Sequence, residues 1–214
     1  MPRKHVIITG TGRSGTTFLV QLLTHLGLET GFKPHEIDSR INVEAQAGLE
    51  SNILHEASSY IVKSPLFCDY AEEVLGRHDI VIEHVFILIR DLYAAAESRR
   101  QVFNRHVLAR PFYKRLRYLL KPQTVVGGLW HTRSTKVGTQ EEVLLKQIYK
   151  LVLSLSDMTT PVTLIRYPRI VRDCPYLFQK LKPILGQITS ETFHATFKEV
   201  IRPELVHTFG RNDY

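Results

Sequence analysis

Residues 10–17, "GTGRSGTT", stand between the apolar run "HVIIT" (5–9) and "FLVQLL" (18–23), and how they are read decides the fold. A Gly-rich turn joining a strand to a helix gathers backbone N–H groups and a helix N-terminus at one point, a receptor for anionic oxygens. Gly10-x-Gly12-x-x-Gly15 matches a dinucleotide fingerprint. Gly10-x4-Gly15 followed by Thr16 and Thr17 matches a Walker A loop with threonine in place of the phosphate-binding lysine. In a third reading the loop cradles one terminal phosphate: Gly12 and Gly15 allow close approach, Ser14, Thr16 and Thr17 add hydroxyl donors, and Arg13 adds charge.

Outward from the loop, "HVIIT" (5–9), "YIVKS" (60–64), "HVFILI" (84–89) and "VTLIRY" (162–167) are short, β-branched and nearly continuous in apolarity. Such runs predict strands of a parallel sheet buried on both faces. Helices are predicted over 16–26, 69–75 and 91–104, and from a stripe of Val143, Leu144, Ile148, Leu151, Val152 and Leu155. A last helix is expected over 175–185, starting near Asp173 and Pro175, and Asp91 reads as the N-cap of its own helix. The order βαβαβα…αβα is that of an α/β fold: an open, mostly parallel sheet with helices on both faces, binding ligands beyond the carboxyl ends of its strands.

That architecture tests the three loops. A dinucleotide site needs an acidic residue about 20 residues on, at the end of a second strand. Glu36 has the spacing, but "GFKPHEID" (31–38) is no strand. An NTPase or kinase needs the loop lysine and a carboxylate for magnesium. Asp91 follows a strand and would serve as the carboxylate, yet position 16 is threonine.

The bulk numbers agree with an anionic ligand. The 214 residues are 43% hydrophobic and carry a net charge of +7, enough chain for one well-cored domain and a surface that favours anions. Two isolated cysteines, Cys68 and Cys174, make no disulfide framework or zinc spacing and are expected to be buried thiols; no metal site is expected. "MPRK" runs directly into a strand, and no apolar run approaches the ~20 residues of a membrane span, so a cytoplasmic protein without stable membrane insertion is the expectation. From Ser98 to Gln140 the chain has ten Lys or Arg and no Asp or Glu, with Phe103, Phe112, Tyr113, Tyr118 and Trp130 interleaved. This segment, around 99–140, reads as a basic helical cap inserted in a single domain spanning 1–214. It is either a solvated hairpin or a lid over substrate; a nucleic-acid groove is disfavoured.

The motifs carry a resemblance. "GRSGTTFLVQLL" (12–23) is similar to the 5′-phosphosulfate loop of P-loop sulfotransferases that use 3′-phosphoadenylyl sulfate (PAPS). "FILIRDLYAAAESRRQ" (86–101) resembles the family's 3′-phosphate motif, with Arg90 ending a strand and Ser98 eight residues later on the next helix. "YIVKSPLF" (60–67) is similar to its strand-end lysine motif at Lys63, and "VTLIRYPRIVRDCPYLFQKLKPIL" (162–185) resembles the segment that would set Tyr167 beside adenine. The resemblance implies transfer of a sulfuryl group from PAPS to a hydroxyl or amine of a small-molecule or saccharide acceptor, leaving adenosine 3′,5′-bisphosphate (PAP), without a metal.

Two departures bear on the reaction. The Glu-Asp that follows the tyrosine in the family is Pro168-Arg169 here, which implies a different local turn. Pro65 stands where the aryl and steroid branch has a histidine two residues after the lysine. Tyrosylprotein-type members carry a glutamate base after the first helix, which places Glu36 first and His35 second as base, while Arg13 and Lys63 would neutralise charge on the transferring group. A small-molecule kinase and a non-catalytic nucleotide or polyanion-binding module remain as alternatives.

Overall fold

Val6, Ile7 and Ile8 are wholly buried, as a strand demands when it has sheet neighbours on both edges and helices on both faces. They belong to β1 (Arg3–Gly10) in a computed structural model that describes residues 2–42, 47–105, 111–113, 125–126, 129–130, 134–206 and 209. After β1 come α1 (Thr16–His25), a 3-10 turn (Pro34–Glu36), α2 (Ile37–Arg40), β2 (Ile41–Asn42), β3 (Ala47–Gly48), β4 (Ile61–Lys63), α3 (Phe67–Leu75), β5 (Ile80–Ile89) and α4 (Leu92–Phe103). Then follow β6 (Val125–Val126), β7 (Leu129–Trp130), α5 (Thr139–Ser156), β8 (Val162–Arg166), α6 (Cys174–Leu185) and α7 (Ser190–Val200).

Four strands form one parallel sheet in the order β4-β1-β5-β8. Successive residues of β1 and β5 face opposite sides, so two apolar layers form. On one face Val6, Ile8, Phe86 and Leu88 pack with Leu19, Leu22 and Leu23 of α1, Leu177 and Leu181 of α6, and Phe193 of α7. On the other, Ile7, Val62, Val85 and Ile87 pack with Phe67, Ala71 and Val74 of α3 and Leu151 and Leu155 of α5. The chain is thus an α/β protein with helices on both faces of a parallel sheet. The strand order turns back at β1, whose next sheet partner in the chain is β4 on one side and then β5 on the other. The carboxyl ends of β1 and β5 therefore border the crevice where such sheets bind ligands.

Local chemistry sets the helix starts. Asp91 accepts a hydrogen bond from the Ala94 N–H at 2.9 Å, and Asp173 accepts one from the Tyr176 N–H at 2.8 Å, so both act as N-caps. Cys68 and Cys174 are buried thiols. Expectation and structure part in two places. Burial on both faces fails at β8, the sheet's outer strand, where Val162 and Leu164 are 42% and 50% exposed. Helix α7, absent from the sequence reading, is capped by Thr189 and buries Phe193, Phe197 and Val200, with Phe197 edge-on to Phe18 of α1 at 5.9 Å. That i, i+4, i+7 stripe was readable.

No helix among the described residues is long and apolar enough to cross a membrane. Much of the basic segment expected to form a cap around 99–140 lies outside the described residues; within it, β6 and β7 pair antiparallel.

Candidate functional site

The strand ends carry the polar chemistry. Behind Gly10, the last residue of β1, the Leu88 backbone leaves no room for a Cβ, and φ is 138°. The chain then turns through Arg13 at φ 71° and Gly15 at φ 86° before α1 begins. Two left-handed residues flanking Ser14 fold the loop back over the helix start, a conformation that costs a non-glycine residue about 1–2 kcal/mol. No side chain caps α1, and no acidic residue occupies its first turn, so the positive end of its dipole is unopposed by either. The hydroxyls of Thr11 and Ser14 are buried without a hydrogen-bond partner among the described residues.

Gly15 is glycine for a reason the sequence hid. Besides its φ, a Cβ there would lie 2.7 Å from Ile170 Cδ1 and 2.9 Å from Tyr167 Cδ2. The loop is laid directly on the segment after β8. Gly12 and Thr16 are buried in the same turn.

Arg13 links the parts. Its Nε donates to the Ser98 hydroxyl on α4 at 3.1 Å, and its carbonyl accepts from Arg90 Nη1 at 3.2 Å. The Arg90 guanidinium lies over the Tyr167 ring at 4.7 Å and over Phe209 at 5.4 Å. Arg90, Ser98 and Tyr167, singled out on separate motifs, thus meet around the loop, and Arg90 and Ser98 converge through Arg13 rather than directly. Burial first, then the like charge of Arg90, pulls the Arg13 pKa down to about 10. Fields of this kind favour an incoming anion.

Sequence reasoning passed over Arg99. It is wholly buried, donates to Gln140 Oε1 at 3.4 Å, and burial followed by the charge of Arg13 pulls its pKa down to about 9. Its neighbour Arg100 instead pairs with Glu97 and Glu141 at 2.8 and 2.9 Å. Nothing in "SRRQ" tells the two arginines apart; which side of α4 meets α5 does.

Lys63, at the end of β4, is 2% exposed. Its ammonium donates to the Thr17 hydroxyl at 2.8 Å, to Glu50 Oε1 at 2.9 Å and to the Gly48 carbonyl. Thr17 on α1 connects this lysine to the loop. Burial lowers the Lys63 pKa and Arg13 adds to the effect, while Glu50 opposes both. Glu50 was not among the expected residues. It follows β3, which pairs antiparallel with β2, after Gly48 (φ 145°) and Leu49 (φ 64°), and the Ser51 N–H beside it donates to the Lys63 carbonyl at 3.0 Å.

Glu36 and His35 sit in the 3-10 turn at Pro34–Glu36. They face each other at 3.6 Å, with side chains 38% and 74% exposed. No hydrogen bond or ion pair among the described residues joins either to Arg13 or Lys63; the carboxylate on Lys63 is that of Glu50. At the β8 end, the Tyr167–Pro168 peptide is cis and a 3-10 turn follows at Arg169–Val171. No group of three or more His, Cys, Asp or Glu side chains among the described residues is placed to hold a metal ion.

Comparison of the chain with protein-family models and with curated proteins gave no match.

Proposed function

We propose that the chain is a PAPS-dependent sulfotransferase of P-loop fold, moving a sulfuryl group to a hydroxyl or amine of a small-molecule or saccharide acceptor. The observation that carries this reading is the junction at Arg13, whose side chain binds Ser98 while its carbonyl binds Arg90. A donor with a 5′-phosphosulfate and a 3′-phosphate needs two anion receptors a few ångströms apart, one on the loop after β1 and one on the β5–α4 junction. Here a single arginine ties those two places together.

The residues present fit such a group. The buried hydroxyl of Ser14 and the N–H groups of residues 12–17 offer donors to the 5′ end, while Arg90 and Ser98 offer charge and a hydroxyl to the 3′-phosphate. Bound PAPS would supply a sulfuryl group already activated on a phosphate leaving oxygen. Arg13 and Lys63 then meet the negative charge that grows on the oxygens around sulfur, a stabilisation strongest in a dry, preorganised site. With less charge on a sulfuryl than on a phosphoryl group, two side-chain cations take the place of magnesium. The acceptor proton passes to Glu36, or to His35 beside it, and positioning of both partners lowers the rest of the barrier.

A thermal-shift series tests the reading against a kinase: PAP should stabilise the protein by about 2.7 kcal/mol at 100 times its Kd, while ATP with magnesium does far less. Single-turnover transfer from PAPS, followed as an 80 Da gain on the acceptor, separates an enzyme from a binding module. Equal affinity for PAP and adenosine 5′-phosphate would remove the 3′-phosphate assignment and with it the proposal.

A further inference from the structure

An ammonium group has three hydrogens, and those of Lys63 are all committed within the protein: to Thr17 Oγ1, the Gly48 carbonyl and Glu50 Oε1. A lysine that is to receive an anion must first give one of these up. Thr17 stands in the first turn of α1, and the Gly48 carbonyl is fixed by the β2–β3 hairpin. Glu50 differs from both. Its side chain is 50% exposed, lies outside any strand or helix, and ends in a carboxylate, the same chemistry as the ligand's anionic oxygens. It is the partner that water can take back at least cost.

We infer that Glu50 is a positioning residue that holds Lys63 as an internal counter-ion, and that the anionic group of a bound donor displaces it. This rests on the proposed sulfotransferase reading for the identity of the donor, though not for the exchange itself. Before binding, Glu50 keeps a buried ammonium charged and aimed at the loop. On binding, its carboxylate moves into water and an anionic oxygen of the ligand takes its place. The ligand therefore competes with an internal anion, and affinity is lower than the cations alone would give.

The groups that act on Lys63 are Glu50, which favours its charge, and burial and Arg13, which oppose it. Removing the carboxylate has two consequences. At neutral pH the competitor is gone and anions bind more tightly. At alkaline pH the lysine, now without its counter-ion, loses its proton at lower pH than in the native protein, and the gain disappears.

The test is calorimetric titration of native protein, Glu50→Gln and Glu50→Asp with PAPS, PAP and inorganic pyrophosphate from pH 6.5 to 10. Glu50→Gln should bind PAPS and pyrophosphate about twofold to fivefold more tightly at pH 7, the size of one half-exposed ion pair, with the alkaline midpoint of binding moved down. Glu50→Asp, which keeps the charge on a shorter arm, should fall between and covers the case in which Glu50→Gln fails to fold. Binding that is equal or weaker in the variants, with the midpoint unmoved, overturns the inference. If native protein binds neither nucleotide yet pyrophosphate binding still tightens in Glu50→Gln, the sulfotransferase reading falls and the counter-ion role stands.

Discussion

Arg13 Nε lies 3.1 Å from the Ser98 hydroxyl, joining two segments 85 residues apart in sequence. The bond makes the loop after β1 and the helix after β5 one unit, and Arg90, donating to the Arg13 carbonyl, closes it from the other side. If the unit binds PAPS as proposed, a change at either end should therefore be felt at both phosphates.

Arg90 has two tasks, one of which only a planar cation performs. It stacks over Tyr167 and reaches the Arg13 carbonyl from the same guanidinium. Arg90→Ala should weaken PAP binding by about 1.5–3 kcal/mol, and Arg90→Lys should recover less than half of this, because an ammonium neither stacks nor forks. Ser98→Ala should cost about 1 kcal/mol. Calorimetry with PAP and adenosine 5′-phosphate decides: the losses should be large for PAP and small for the nucleotide lacking the 3′-phosphate.

Arg13 carries a cost in the folded protein. Its pKa is lowered, so folding disfavours its charged form at every pH below about 10, and that cost is relieved only as pH rises through the folded value. Its φ of 71° adds backbone strain that asparagine tolerates better. At pH 7 Arg13→Asn should raise the stability of the ligand-free protein by about 1 kcal/mol, or roughly 2–4 °C in Tm, while abolishing stabilisation by PAP. A lower Tm without ligand would mean that the bond to Ser98 outweighs the repulsion.

The parallel sheet was legible in the sequence because Val6–Ile8, Val62 and Val85–Leu88 are buried from both sides and hence continuously apolar. The placement of the loop and of Arg90 at strand ends was legible for the same reason, because each directly follows a continuous apolar run. Glu50 was not. Its contact with Lys63 depends on the pairing of two strands of two residues each and on left-handed Leu49, and neither leaves a periodic signal in "INVEAQAGLE". Arg99 was hidden for the complementary reason: a helix pattern marks apolar faces, and an arginine inside one reads as surface. Exposed Val162 and Leu164 show the same limit, since sequence tells that a strand is apolar but not that it lies at the sheet's edge.

Gly15 should tolerate no side chain. Gly15→Ala combines a left-handed backbone, costing about 1–2 kcal/mol, with contacts of 2.7 and 2.9 Å to Ile170 and Tyr167. Ile170→Ala in the same chain removes one of those contacts and should restore part of the lost Tm without restoring PAP binding. Full recovery of binding in the double variant would mean that the glycine serves packing alone.

The roles proposed for Lys63, Glu36 and His35 are open to kinetics. Lys63→Met keeps most of the buried volume but removes the charge that would meet the transferring group, which PAP lacks. It should lower kcat about 10²- to 10³-fold while changing PAP affinity little. Because burial lowers the Lys63 pKa, activity in native protein should fall on the alkaline side below the usual lysine range, and that limb should vanish in Lys63→Met. Glu36→Gln should lower kcat sharply if Glu36 takes the acceptor proton. Should kcat survive in Glu36→Gln but not in His35→Ala, the histidine is the base. If kcat survives in the double variant, neither is, as the open setting of this pair, 3.6 Å from one another and unbonded to Arg13 or Lys63 among the described residues, would then explain. In that case a collapse of kcat in Glu50→Gln would assign the proton to that carboxylate, whose Oε1 lies 2.9 Å from the Lys63 ammonium.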